Sequence, residues 1–209
     1  RRERDRVPLL TYAAGVYLFY LKYVIRRESE ADSIMAAIFV TALLALPLWN
    51  WASRKFNKRL AYVAGIAFWA VVQLALISLV ASVPSEVVYL LCILAGVGLD
   101  AAHVLPWSII PDAIEWDEWQ TGKRHEGMFY SLVTLMQKVA SSVAIPLTLL
   151  VLQATGYVPN AAQQPLSAQT GIRLVIGPVP AVLLLVGIIF ALRYPLSREK
   201  HAQVVADLQ

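Results

Sequence analysis

The stretch Gly127-Met128-Phe129-Tyr130-Ser131-Leu132-Val133-Thr134-Leu135-Met136-Gln137-Lys138-Val139-Ala140-Ser141-Ser142, running on through apolar residues to Thr155, carries one charge, Lys138. At 1.5 Å rise per residue such a helix crosses the roughly 30 Å hydrocarbon core of a bilayer. The lysine falls near mid-depth, where an ionisable side chain costs on the order of 2.5–3.5 kcal/mol by insertion scales. It is expected to be buried, facing either a partner or a wet cavity. Thr134 lies one turn before it, Ser141 and Ser142 one turn after it, and Tyr130 two turns before it, all on one face. Gln137 points away by about 100°. A polar stripe on an apolar helix reads as a face lining water. The alternative is a lysine that pairs with a carboxylate and locks two helices together.

The rest of the chain has the same solvent. Of 209 residues, 58 % are hydrophobic and 15 % charged, and the mean hydropathy is +0.60. A soluble domain is nearer half apolar and a quarter charged. Six apolar stretches follow one another, at about 7–25, 32–51, 60–82, 86–111, 127–155 and 171–194, with a polar tail at 195–209. They are long enough for helices rather than barrel strands. The expected fold is an all-α membrane protein, a six-transmembrane-helix bundle forming one unit over residues 1–209. The single Cys92 excludes an internal disulfide and reads as a small packed side chain. The chain opens on Arg1-Arg2-Glu3-Arg4 without an initiator methionine or a signal peptide, as expected of a piece of a longer protein.

The net charge of +4 comes from residues clustered between the apolar runs, so it reads as topology rather than nucleic-acid binding. Alternating the loops puts Arg1, Arg2, Arg4, Arg6, Arg54, Lys55, Lys58, Arg59, Lys123, Arg124, Arg193, Arg198 and Lys200 on one side. Arg26 and Arg27 fall on the other, with Lys22 near them. The positive-inside rule then places both termini in the cytoplasm. Trp51, Trp116, Trp119, Tyr157 and Tyr194 sit near expected helix ends, as interfacial aromatics do. An even number of spans with both ends inside suits one half of a two-bundle transporter, and equally a six-helix channel or membrane enzyme.

Two further ionisable groups lie at membrane depth, Asp100 and His103, one turn apart among Ala95, Gly96, Gly98, Ala101 and Ala102. Small residues let backbones approach and leave room for a cavity. Pro106 removes a backbone hydrogen bond beside them and is expected to kink the helix. His103 reads as a ligand-lining residue or as a hydrogen bond to a neighbouring helix. Asp100 reads as a structural partner of Lys138 or of a backbone group. No second His or Cys stands at ligand spacing, so no metal site is expected. His103, His125 and His201 are scattered and no nucleophile–base set or phosphate loop appears, so no enzyme is expected. The segment 112–126 is dense in both signs and reads as a solvated loop. In a rocking transporter, Asp112, Glu115, Glu118, Lys123 and Arg124, with Arg54 and Arg59 of the preceding basic loop, could pair across two bundles in one state and release them in the other. Such pairs are weak singly but bias an equilibrium as a network.

Five stretches resemble one family when taken in order. They are Tyr20-Leu21-Lys22-Tyr23-Val24-Ile25; Trp51-Ala52-Ser53-Arg54-Lys55-Phe56-Asn57-Lys58-Arg59; Leu105-Pro106-Trp107-Ser108-Ile109-Ile110-Pro111-Asp112; Thr121-Gly122-Lys123-Arg124-His125-Glu126-Gly127 running on to Lys138; and Gly156-Tyr157-Val158-Pro159-Asn160. The chain resembles the C-terminal half of the glycoside–pentoside–hexuronide:cation symporters, the melibiose-permease-like branch of the major facilitator superfamily. The resemblance implies helices seven to twelve of a transporter in a bacterial inner or plasma membrane. Its partners would be an N-terminal six-helix half, a small solute and membrane lipid. The expected activity is symport of a sugar, glycoside or related solute with Na⁺ or H⁺ and no other cofactor. Lys138 then falls near the cation and substrate sites, and Thr134 matches a substrate-facing threonine; Tyr130 and His103 complete the expected substrate face. Val133 stands where the melibiose permease has a glutamine, and His103 where it has a tryptophan, so melibiose itself is not implied. Lysolipid carriers belong to the same branch and are the alternative, together with a non-transporting membrane binding or scaffold module.

Overall fold

The computed structural model describes residues 17–159, 161, 163–193 and 198–208, the side chains of Arg198 and Glu199 excepted. Among these the chain is helical. Helix α1 is described from Tyr17 and closes in a π turn, Leu21–Ile25. It is followed by α2 (Ala31–Lys55), α3 (Lys58–Ile77), α4 (Ser85–Thr121), α5 (Glu126–Ala154), α6 (Leu166–Ile176), α7 (Pro178–Arg193) and α8 (Arg198–Leu208). Five segments are long and apolar enough to cross a membrane: Glu28–Lys55, α3, α4, α5, and α6 with α7. The expected first span, 7–25, falls mostly outside the described residues.

Small residues decide how α2, α3 and α4 pack. A Cβ on Gly98 of α4 would meet the Trp69 Cβ of α3 at 2.6 Å, and one on Gly96 would collide with the Ile38 carbonyl of α2. Both glycines are therefore contact points where backbones approach, as small residues allow in membranes. Trp49 Nε1 donates to the Val97 carbonyl at 2.9 Å and ties α2 to α4. The core continues through Ile34, Ile38, Val72, Leu76, Val88, Cys92 and Ala95. Tyr17 donates to the Gln73 side chain at 2.6 Å, which gives the buried Gln73 a partner and joins α1 to α3.

Four expected boundaries are corrected. α4 does not stop at Pro111; it passes through Pro106 and Pro111 and ends at Gly122 in the left-handed conformation. A proline frees one carbonyl and crowds one turn, which a well-packed helix tolerates. The expected loop 112–126 is thus mostly the last turns of α4, and the connection to α5 is the short turn 122–125. Thirty-seven residues span about 55 Å, so the acidic turns project beyond the hydrocarbon core. The third stretch ends earlier than expected, with α3 closing at Ile77. The stretch 171–194 is not one helix: Gly177 and Pro178 divide it into α6 and α7, and α6 starts five residues earlier, at Leu166. A side chain on Gly177 would strike Ile77 of α3, which explains the glycine at the break. The expected polar tail contains α8, whose Val204 is buried.

The two ends of the bundle differ in charge. At one end lie the α2–α3 turn, the α4–α5 turn, the end of α7 and α8; at the other, Lys22 pairs with Glu28, and Arg27 bonds Ser85 and the Val83 carbonyl. Arg173 joins this second end, donating to the Ile77 carbonyl at 2.6 Å. The asymmetry of basic residues remains.

Candidate functional site

α5 carries the stripe Tyr130, Thr134, Lys138 and Ser142 at four-residue spacing, as its 3.6-residue period requires. Lys138 lies on an exposed face of this chain; that corrects the expectation of a buried lysine. The physical reason is that α5 touches its neighbours sparingly and buries only Leu152. The threonine and serine hydroxyls along this face are bonded within the helix. Thr134 donates to Tyr130 O at 2.8 Å, Ser141 to Gln137 O at 2.7 Å, and Ser142 to Lys138 O at 2.8 Å. Each spends its proton on the backbone, as serine and threonine do in apolar helices. The Lys138 ammonium is left as the charged group of this face.

Asp100 and His103 stand on α4 but not as expected. Asp100 is buried, its Oδ2 has no hydrogen-bond partner, and it makes no ion pair with Lys138. The exposed direction of Lys138 explains the missing pair. His103 does not bond a neighbouring helix; its Nδ1 lies 3.0 Å from the Leu99 carbonyl of its own helix, leaving the outer ring nitrogen towards the exposed side. One turn further, Trp107 stacks on Tyr130 with ring centroids 6.4 Å apart and planes at 17°. That pair joins the exposed face of α4 to the stripe of α5. Trp107 is a functional-face residue that the sequence motif alone does not distinguish. Its four-residue spacing from His103 was the available signal.

The charged end of α4 forms a second constellation. Lys58, in the first turn of α3, donates to Asp112 at 2.6 Å and to the Ser108 carbonyl at 2.9 Å. His201 of α8 lies 2.6 Å from Glu115 and 3.6 Å from Asp112. Arg124 pairs with Glu118 at 2.9 Å and Glu126 at 3.2 Å, and these bonds hold its guanidinium above its ordinary pKa. His125 lies 2.7 Å from Asp117. Of the expected gating set, Asp112, Glu115, Glu118 and Arg124 are thus paired within this chain. Arg59 is half-buried at the start of α3, while Arg54 and Lys123 are exposed and join none of these pairs. Lys58 and His201 were not expected here, because the contacts span 54 and 86 residues and depend on the unforeseen helix α8. Asp112, Glu115 and His201 offer ligand atoms within 4.8 Å of one another, the spacing a metal ion needs. The Lys58 ammonium already offsets one of the two carboxylates, Asp112.

Comparison with known proteins gives this geometry a setting. The chain is 35 % identical over 205 residues to an uncharacterized symporter of Synechocystis sp., covering 96 % of this chain and 37 % of that protein. It is 32 % identical to the sodium-dependent lysophosphatidylcholine symporter 1-A of Danio rerio, covering 93 % and 37 % respectively. It is 30 % identical to the Homo sapiens sodium-dependent lysophosphatidylcholine symporter 1, covering 93 % and 36 %. The chain therefore spans a little over a third of the length of these relatives, whose names describe transporters rather than enzymes. A family model described as MFS/sugar transport protein matches residues 9–198, across the spans, the Lys138 stripe and the charged end of α4 alike. This integral, multi-pass membrane chain belongs to the MFS/sugar transport protein family.

Proposed function

We propose that the chain is the C-terminal bundle of a cation-coupled symporter working by alternating access, and that its solute is an amphiphile with an anionic or zwitterionic head, of the lysolipid type. The observation that carries the reading is the face around Lys138. The threonine and serine hydroxyls of this face donate to their own helix, and apolar side chains surround them; Leu135, Met136 and Val139 are more than 45 % exposed. A polyol needs many free donors and acceptors, because each buried polar group left unpaired costs about 1–3 kcal/mol. One cation set in apolar surface suits one charged head and a long apolar body. The lysophosphatidylcholine symporters among the relatives have the same preference in their names.

In this reading an N-terminal six-helix bundle covers the open face of α5. The solute sits between the bundles, and Lys138, His103, Tyr130, Thr134 and Trp107 line its site. Na⁺ is the coupling ion, as the relatives' names suggest. Both termini of the chain lie in the cytoplasm of an inner or plasma membrane. A sugar or glycoside is the second reading, favoured by the family description.

The test is uptake by the full-length protein in proteoliposomes, with Na⁺ and pH gradients varied separately. Labelled lysophosphatidylcholine and a panel of glycosides are offered as substrates. Na⁺-driven lysolipid uptake is expected. Glycoside uptake without lysolipid uptake supports the second reading, and uptake of neither under any gradient removes the transport proposal.

A further inference from the structure

The end of the bundle opposite the charged end of α4 holds a cavity of about 260 Å³, away from the residues of the Lys138 face. It lies where the π turn of α1 and the bend after it meet the connection from α5 to α6. Lys22, Tyr23, Arg26 and Glu28 line it from the first side, Gln164 and Gln169 from the second. Pockets that enclose a whole drug-sized ligand run to roughly 300–1,000 Å³. This smaller volume suits a headgroup rather than a long apolar body.

The cavity carries one uncompensated positive charge. Lys22 pairs with Glu28 at 2.5 Å. Arg27, on the adjoining turn, bonds Glu30, Ser85 and the Val83 carbonyl. The Arg26 side chain is exposed and, among the described residues, enters no ion pair or hydrogen bond. Its backbone adds a second observation. A φ of 60° and ψ of 41° place Arg26 in the left-handed region, and among the described residues it is the one non-glycine with positive φ. At the end of a helix that region favours glycine. An arginine thus stands where glycine would suit the backbone better, and the guanidinium is what the position gains.

The opposite wall is fixed. Gln164 is buried; its Oε1 accepts from the Val158 N–H at 3.0 Å and its Nε2 donates to the Val158 carbonyl at 2.6 Å. Gln169 Nε2 donates to the Gln164 carbonyl at 3.0 Å. Each amide nitrogen carries two protons, and these bonds use one of each. One guanidinium and two amide donors match an acceptor-rich anion, and the planar fork of arginine suits phosphate oxygens. Tyr23 continues into an aromatic cluster with Phe19 and Tyr157, with ring centroids 5.6 to 6.0 Å apart. Tyrosines gather at the headgroup level of a bilayer, which favours a phosphate carried by a lipid over one free in solution. We propose that this cavity is a headgroup site, at which Arg26 with Gln164 and Gln169 binds the phosphate of a lysolipid-type amphiphile ahead of the Lys138 face. Its place on a transport path rests on the function proposed above; the binding itself does not.

The test uses the full-length protein in dodecyl maltoside, which carries no phosphate. Binding of labelled lysophosphatidylcholine is measured in a Lys138→Ala background, so that the α5 face does not contribute its charge. Adding Arg26→Gly should weaken binding about tenfold, the scale of one charge-assisted contact. The melting temperature should equal or exceed that of Lys138→Ala alone, since glycine suits the left-handed backbone. Monoacylglycerol, which has the tail without the phosphate, should bind alike with and without Arg26. Lysolipid binding that ignores Arg26→Gly, an equal loss for monoacylglycerol, or a lowered melting temperature overturns the proposal. So does inorganic phosphate that displaces the lysolipid at as low a concentration as glycerophosphocholine does, which would assign the site to free phosphate. In proteoliposomes, Arg26→Gly alone should raise KM for the lysolipid more than it lowers the maximal rate; an unchanged KM beside lost binding overturns the role ahead of Lys138. Absence of lysolipid uptake by the parent would sink the function proposed above, while the binding result still decides whether the headgroup site exists.

Discussion

α4 and α5 are consecutive, joined by the short turn 122–125, and opposite in character. In the most apolar window of α4, 39 % of the residues are buried; in that of α5, 6 %. α4 carries glycines pressed against Trp69 and Ile38, while a Cβ on Gly127 in the first turn of α5 would meet nothing within 4 Å. One helix holds the bundle together and the other presents a surface. In water an exposed apolar helix would be a defect; in a membrane it is a face awaiting lipid, solute or a second bundle. Chemistry follows the same division. The carboxylate of α4 at membrane depth, Asp100, is buried, and the ammonium of α5, Lys138, is presented.

This contrast can be broken by substitution. Lys138→Ala should lower Na⁺-driven uptake by the full-length protein about 100-fold, as loss of a positioned charge does, while the melting temperature stays that of the parent. Unchanged uptake removes Lys138 from the site, and a collapsed melting temperature makes it a packing residue. Gly98→Ala should do the reverse. A methyl 2.6 Å from the Trp69 Cβ forces α3 and α4 apart, an overpacking cost of about 1–3 kcal/mol. Thermal unfolding in detergent should show it, and a parental melting temperature would mean that the helices are not in contact there. Lys58→Ala should cost about 1 kcal/mol, the size of a partly exposed pair, with a loss that shrinks in high salt. A salt-independent loss would point instead to its bond with the Ser108 carbonyl. Gly127→Ala is the smallest change. It adds helix propensity in open space and should be neutral or stabilising by about 0.5–1 kcal/mol. Marked destabilisation would show that this face is covered.

The spans were legible because lipid demands long apolar runs, and a run of that length is hard to mistake. What the runs conceal is where they break. Gly177-Pro178 sits inside continuous apolar sequence, and the reason for the break is Ile77, one hundred residues away. The charges after Pro111 suggested a loop because charge and proline usually end a span. Here they mark only the end of the membrane, since a helix that emerges into water may keep winding with a polar surface. The stripe on α5 was legible from period alone, but its exposure was not; periodicity tells which residues share a face, never what covers it. Asp100 shows the same limit, as depth and charge suggested a partner and the geometry gives it none. His201 could not be connected with Glu115 from the sequence, because 86 positions separate them and the contact depends on α8 packing against α4.

The short turn after Gly122 has a consequence for biosynthesis. α5 has the lowest hydropathy of the five candidate spans, 1.7 against 2.0–2.7, since it carries the lysine. A segment of that kind partitions poorly alone. Leashed to α4 through so few residues, it enters the bilayer as the second arm of a hairpin whose first arm is already drawn to lipid. Lengthening this turn should therefore lower the yield of correctly inserted protein before it alters any step of transport. The lysine proposed to serve transport is thus also the residue that makes its helix depend on its neighbour for delivery.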